Sequence, residues 1–241
     1  MPRQAGSRLS CQTLGIMSGT STRIVDFELL ARRGPDAATV VKLMMACNDM
    51  TIANLSLADW KPKQPIDRRD LQVGACLYFA RIELAHLYEG IKIIPEIRCT
   101  PSLYRHVQAC DQRTQDSFAE LESYADGGPR KDELEALVGR VRHTLTFHYY
   151  GCGKPVQHAI VDRAGRKEGR LSSITRGSSA HRWRFAAADD VVDSIVVRQI
   201  WKVPRTADLR SAVDEVAMKI NSISLRFLDF SGEFIWRYFQ Q

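Results

Sequence analysis

From Leu209 to Phe234 an apolar residue recurs at spacings of 4, 3, 4, 3, 4, 3 and 4: Leu209, Val213, Val216, Ile220, Ile223, Phe227, Phe230 and Phe234. This is a heptad seam held for more than three repeats, and it marks a long helix that lays one stripe along other helices. A helix of about 30 residues spans about 45 Å, so its partners must be long as well. The seam predicts either the core of a bundle or the contact line of a dimer.

The rest of the chain supplies those partners. With 241 residues, 44% of them hydrophobic and 26% charged, there is enough apolar surface for one sizeable core. Residues 1–19 are rich in Ser, Gly and Thr and read as a flexible arm. A short Ser/Thr-capped helix ends at Gly34, and Pro35 opens the next one, which runs to Trp60. The two prolines of "KPKQPI" enforce a loop. "DRRDLQVGACLYFARIELAHLYEGIKII" is a long helix that stops by Pro95. "TPSLYRHVQACDQRTQDSFAELESYADGG" is another, with Thr100 as cap, Pro101 just inside and Gly127-Gly128 past the end. "PRKDELEALVGRVRHTLTFHYYG" is the fifth, with an acidic first turn that suits the positive end of the helix dipole. The expected fold is an all-α antiparallel bundle of long helices, a single domain over residues 20–241.

One stretch breaks the pattern. Residues 151–186 carry eight Lys/Arg against two acids and five glycines. They read as a basic insertion before the last two helices, partly irregular, with a short strand pair at "PVQHAIVD" and "HRWRFAA". Its two readings are a solvated loop and a surface that touches nucleic acid. The net charge of +6 permits an anionic partner without requiring one. No apolar run reaches the length of a membrane span, and the first residues have no secretion-signal core. Six scattered cysteines without a C-x-x-C pair suggest reduced thiols. A cytoplasmic protein without membrane contact is expected.

Motifs that would fix a chemistry are missing. There is no P-loop, nucleophile elbow, H-E-x-x-H or dinucleotide fingerprint, so no cofactor is expected. His143, His148, Cys152 and His158 match no zinc spacing, so no metal is expected. What remains is arginine followed by histidine: Arg142 with His148, Arg81 with His86, and Arg176 with His181. With 25 arginines and six histidines, chance supplies about two such pairs, so the spacing alone decides nothing. Context favours Arg142, which is followed by His143 and has His148 at the helix end, ahead of the basic stretch. In a regular helix Arg142 and His148 stand about 120° apart, so they share a site only where the helix loosens. In the second hit, His86 and Glu89 lie on one helix face, as core lining or as part of a cleft.

"VRHTLTFHY" resembles the R-x(4–6)-H signature of HEPN domains, all-α bundles in which the arginine is often followed by Asn, Asp or His. Arg142, His143 and His148 match that motif position by position, over about seven residues. The resemblance implies a bundle core over roughly residues 35–150. It also implies one of two functions: a metal-independent ribonuclease of toxin or defence systems, or a relative that has lost catalysis and binds RNA or protein. The partners implied are RNA, a second copy of the chain that completes the cleft, and an antitoxin or other protein.

Such chemistry suits these residue types. A histidine exchanges a proton near neutral pH, and a guanidinium grips phosphate oxygens with two N–H groups. His148 is the expected general acid or base and Arg142 the phosphate holder. His143 would orient or protonate the leaving oxygen. Tyr149 and Tyr150 are placed to stack a splayed base, or simply to pack at the bundle edge. Arg166, Lys167 and Arg170 would meet the RNA backbone. Arg81, His86 and Glu89 are secondary candidates.

Overall fold

The computed structural model describes residues 14–17, 20–65, 68, 71–146, 152–166, 170–176 and 184–240. They form an all-α helical bundle. Among the described residues, strand pairing is limited to β1 (Leu14–Met17) with β2 (Thr20–Thr22), antiparallel, and one isolated bridge, Thr175 to Arg184. The end of the stretch expected as a flexible arm is therefore half of a small hairpin.

Helix α1 (Phe27–Arg32) is capped by Asp26, whose carboxylate accepts from the Glu28 N–H at 2.8 Å, and not by the Ser/Thr run before it. Gly34, at φ 64°, turns the chain into α2 (Pro35–Trp60), with proline in the first turn as expected. Helix α3 (Gln72–Ile91) returns antiparallel along α2. Gln72 Nε2 reaches the Trp60 carbonyl at 3.0 Å near one end, and Lys42 pairs with Glu96 near the other. Helix α4 (Ile94–Cys99) then carries Pro95 in its first turn. The long helix expected over residues 100–126 is two: α5 (Pro101–Gln108) and α6 (Gln112–Tyr124). Asp111 makes the break, because its backbone is extended and its side chain caps α6 through Thr114 N–H at 2.8 Å.

Helix α7 starts at Lys131–Leu134 and then winds wider, with i→i+5 bonding, over Glu135–Gly139 and again over Arg142–Thr146. Wide turns misalign carbonyls, and here each receives an outside donor. Trp201 Nε1 donates to the Leu137 carbonyl at 3.0 Å, and Arg81 Nη1 donates to the Leu145 carbonyl at 3.0 Å. Helix α8 (Gly153–Ala164) corrects the strand expected at residues 155–162. Ala159 is fully buried there, which a helical face requires, and Asp162 pairs with Arg166 one turn on. Helix α9 (Ala186–Ser194) continues as a wide turn over Ile195–Ile200.

Helix α10 (Leu209–Tyr238) is the helix the heptad seam predicts, 30 residues long. Its C-terminal half lies in the core. Ile220 and Ile223 are buried, and Phe227, Phe230 and Phe234 are 0% exposed. Its N-terminal half is half open, with Leu209 41% exposed and Val213 and Val216 only partly covered. The seam therefore serves this chain's own core from Ile220 onward, and a dimer along all of residues 209–234 would have to open that core. One contiguous cluster gathers Val40, Leu43, Leu87, Ile91, Ile97, Leu121 and Val138 around the three phenylalanines. Phe118 and Phe230 stand 5.1 Å apart between ring centres, and Phe230 and Phe234 5.4 Å. The N-terminal segment closes the end of α10. Arg23 and Arg33 donate to the terminal carbonyls of Trp236 and Tyr238 at 3.1 and 2.7 Å, each lying over that residue's ring.

His106 on α5 is buried against this end. Its Nε2 is 3.2 Å from the Phe234 carbonyl, and its ring stands edge-on to Phe234 and Tyr238. Burial holds the imidazole below its usual range; Arg237 and Arg33 add to that, while the Phe234 carbonyl pulls the other way. A histidine favoured neutral in the fold contributes full stability above its unfolded value of about 6.5, and that contribution is lost as pH falls below it. The urea midpoint is expected to drop between pH 8 and pH 5, and His106→Gln to flatten that drop. An equally steep drop in the variant would exclude His106 as the cause.

Candidate functional site

The two arginine–histidine stretches that stand apart in sequence meet in the fold. Helix α3 presents Tyr88, Glu89 and Lys92 to α7, which presents Glu135, Arg142 and His143. Seven residues, about two turns, separate Glu135 from Arg142, so both lie toward α3. Arg142 Nη2 pairs with Glu89 Oε1 at 2.9 Å, and Arg142 Nη1 lies 3.2 Å from His143 Nδ1. His143 Nε2 is 3.4 Å from the Tyr88 hydroxyl, and the two rings meet edge to face at 5.3 Å. Tyr88 donates to Glu135 Oε2 at 3.0 Å. Burial, with the Glu135 hydrogen bond and the charges of Glu135, Asp126 and Glu89, pushes the Tyr88 phenol up to about 12, so it keeps its proton throughout the neutral range. The Arg142 side chain is 29% exposed, half-sheltered but open to a ligand.

Two grooves flank this cluster and share Lys92. One, of about 290 Å³, is lined by Tyr88, Lys92, Tyr124, Asp126, Lys131 and Glu135 among others. The other, of about 420 Å³, is lined by Lys42, Asp49, His86, Glu89, Lys92 and Glu96 among others.

The secondary candidates divide. Glu89 joins the cluster directly. His86, on the same helix, turns to α2 instead, its Nδ1 3.5 Å from Asp49. Arg81 is a tie for the end of α7, through the Leu145 carbonyl and its own Leu77 carbonyl at 3.2 Å. His148, Tyr149, Tyr150 and Lys167 lie outside the described residues. Tyr88 and Glu135 were missed in the sequence. Their only signal is positional: Glu135 stands two turns before Arg142, and Tyr88 stands beside Glu89.

The basic stretch is less basic in space than in sequence. Helix α9 brings acids to it that lie beyond residue 186. Arg163 pairs with Asp190 at 3.2 Å, and Arg184 pairs with Asp189 over Gly74 of α3. Arg166, expected to meet RNA, is bound to Asp162 and lies 3.1 Å from Ser194 Oγ. Arg170 is exposed. Asp162 is the hub, also taking Arg205. Burial would raise the Asp162 pKa, but hydrogen bonds from Arg166 and Arg205 outweigh it and hold the carboxyl below its usual range. Its contribution to stability is therefore present above the usual carboxylate range and lost as pH falls through it. Asp162→Asn is expected to cost about 1 kcal/mol at pH 7, at the low end for a charged hydrogen bond because Arg205 is 70% exposed. Denaturant midpoints of the two proteins should converge in acid. A constant gap down to pH 3 would contradict this.

Among the described residues, no helix is long and apolar enough to cross a membrane, and no three His, Cys, Asp or Glu side chains converge on a common point. Compared with known proteins, the chain matches no family model, no curated protein and no solved structure.

Proposed function

We propose that this protein is a metal-independent endoribonuclease of the HEPN-like kind, acting in a toxin or defence setting. The observation that carries the reading is the convergence of Arg142 and His143 with Glu89 and Tyr88 at a half-open surface, on a helix wound wide at that point. Wide turns of this kind are frequent at functional sites. Glu89 keeps the guanidinium aimed while no RNA is bound. A phosphate then replaces that single contact with a two-pronged one. His148 takes the proton of the 2′-hydroxyl, and the 2′-oxygen attacks phosphorus. Arg142 steadies the charge on the phosphoryl oxygens, and the 5′-oxygen leaves with the proton that His148 took. Tyr149 and Tyr150 stack the splayed base, and Arg166, Lys167 and Arg170 contact the backbone. A second copy of the chain, meeting the first along the open turns of α10 from Leu209 to Val216, adds a second motif to the cleft.

The pure protein is expected to cut single-stranded RNA in EDTA and leave 2′,3′-cyclic phosphate ends. Survival of the RNA would refute the reading.

A second reading is a non-catalytic helical module that binds RNA, an antitoxin or another protein partner. It is favoured by one observation: both ring nitrogens of His143 already face protein groups. It predicts retention of uncut RNA, weakening steeply with salt.

A further inference from the structure

Donors and acceptors around His143 can be placed in order. A guanidinium only donates, so Arg142 Nη1, 3.2 Å away, makes His143 Nδ1 the acceptor. The proton of the neutral ring then sits on Nε2, which faces the Tyr88 hydroxyl at 3.4 Å. A carboxylate only accepts, so the phenol proton goes to Glu135 Oε2 at 3.0 Å, and the phenol oxygen remains to receive Nε2–H. The neighbouring charges are committed elsewhere. Glu89 holds Arg142 Nη2, and the Lys92 ammonium lies 4.8 Å over the Tyr88 ring. The backbone contributes a further condition. The Glu135 carboxylate folds back over Gly139, where a methyl group would collide with its oxygens. Glycine at that position leaves the carboxylate room to reach Tyr88.

We propose that Tyr88 and Glu135 are positioning residues, which through the one-way chain Arg142 to His143 to Tyr88 to Glu135 fix His143 as its neutral Nε2–H tautomer and hold the Arg142 guanidinium in place for a phosphate. The phosphate rests on the ribonuclease reading, whereas the tautomer does not. Gly139 is part of the device, since it gives Glu135 its path.

The test is the ¹⁵N-imidazole spectrum of the whole protein without RNA, above the usual histidine titration range. The His143 signal is identified by its loss in His143→Gln. The wild type should carry the proton on Nε2. Tyr88→Phe leaves Nε2–H without its acceptor and the ring free to turn, so the signal should move toward the tautomer mixture of free imidazole. Gly139→Ala should do the same by displacing Glu135. Glu135→Gln, whose amide carbonyl still accepts, should keep the wild-type pattern. Gly139→Ala also separates the chain from the fold, because alanine is the better helix former and the melting midpoint should not fall. On RNA, Tyr88→Phe and Gly139→Ala should lower kcat/KM about ten- to a hundredfold, as expected for loss of groups that hold Arg142 and His143 in place. A proton on Nδ1 in the wild type, or a signal indifferent to Tyr88→Phe, overturns the proposal. The expected tautomer in a protein that cuts no RNA supports the chain and removes the ribonuclease reading instead.

Discussion

Replacing Phe227 by alanine is expected to cost about 3–5 kcal/mol, a large fraction of the roughly 5–15 kcal/mol that holds a domain folded. Phe227 is 0% exposed, and its ring occupies the space a Cβ on Gly90 of α3 would take. The backbone of α3 is thus moulded to the ring, and the cavity left by truncation has little freedom to collapse. Leu209 is on the same seam but 41% exposed, and Leu209→Ala should shift the urea midpoint by no more than about 0.5 kcal/mol equivalent. Gly90→Ala should destabilise on its own and less so when Phe227 is already Leu, since the smaller side chain makes room for the methyl. Equal costs at Leu209 and Phe227 at concentrations where the chain is a monomer would mean that the seam is core along its whole length.

His148→Ala and Arg142→Ala should each reduce RNA cleavage in EDTA by about 10²–10⁴-fold, the usual worth of a positioned proton-transfer group or of an electrostatic clamp. The two losses should differ in kind. His148→Ala should leave RNA binding largely intact. Arg142→Ala should weaken binding as well, and Arg142→Lys should not restore cleavage, because an ammonium cannot present a planar pair of N–H groups. The Arg142 side chain is 29% exposed and not part of the core, so the melting midpoint of Arg142→Ala should stay near that of the wild type. Cleavage that persists in both variants would place the activity elsewhere. Loss of cleavage together with loss of folding in Arg142→Ala would assign Arg142 to the ion pair with Glu89 as a structural element.

The helices were legible where periodicity and capping agree. Pro35 opened α2 as read, and the 4-3 spacing found α10 from its start at Leu209 to Phe234, one turn short of its end. The readings that failed were of local signals with two meanings. Asp111 inside an apparently continuous pattern is a helix cap, and it splits α5 from α6. "PVQHAIVD" has enough β-branched residues for a strand, yet burial of Ala159 makes it a helix. A different case is the charge of residues 151–186, read as a solvated loop or as a surface for nucleic acid, where the sequence window hides part of the balance. Asp189 and Asp190, just beyond that window, answer two of its eight positive charges, while Asp162 inside it binds Arg166. Of the candidate site, Arg142 and His143 were visible as a pair. Tyr88 and Glu135 were not, because nothing in a phenol or a carboxylate on an amphipathic helix announces which neighbour it will face.

The chain's own sequence determined that it is helical, that its last helix is long, and that Arg142 and His143 adjoin. These follow from period, caps and chain order, which are local. Tertiary structure decided which half of the α10 seam is core, why α7 is tolerated as a wide helix, and how the two arginine–histidine stretches divide into a cluster and a tie. Each of these depends on groups far apart in sequence, such as Trp201 with Leu137, Arg81 with Leu145 and Glu89 with Arg142. Contacts of that kind form only once the helices pack, and spacing along the chain does not encode them.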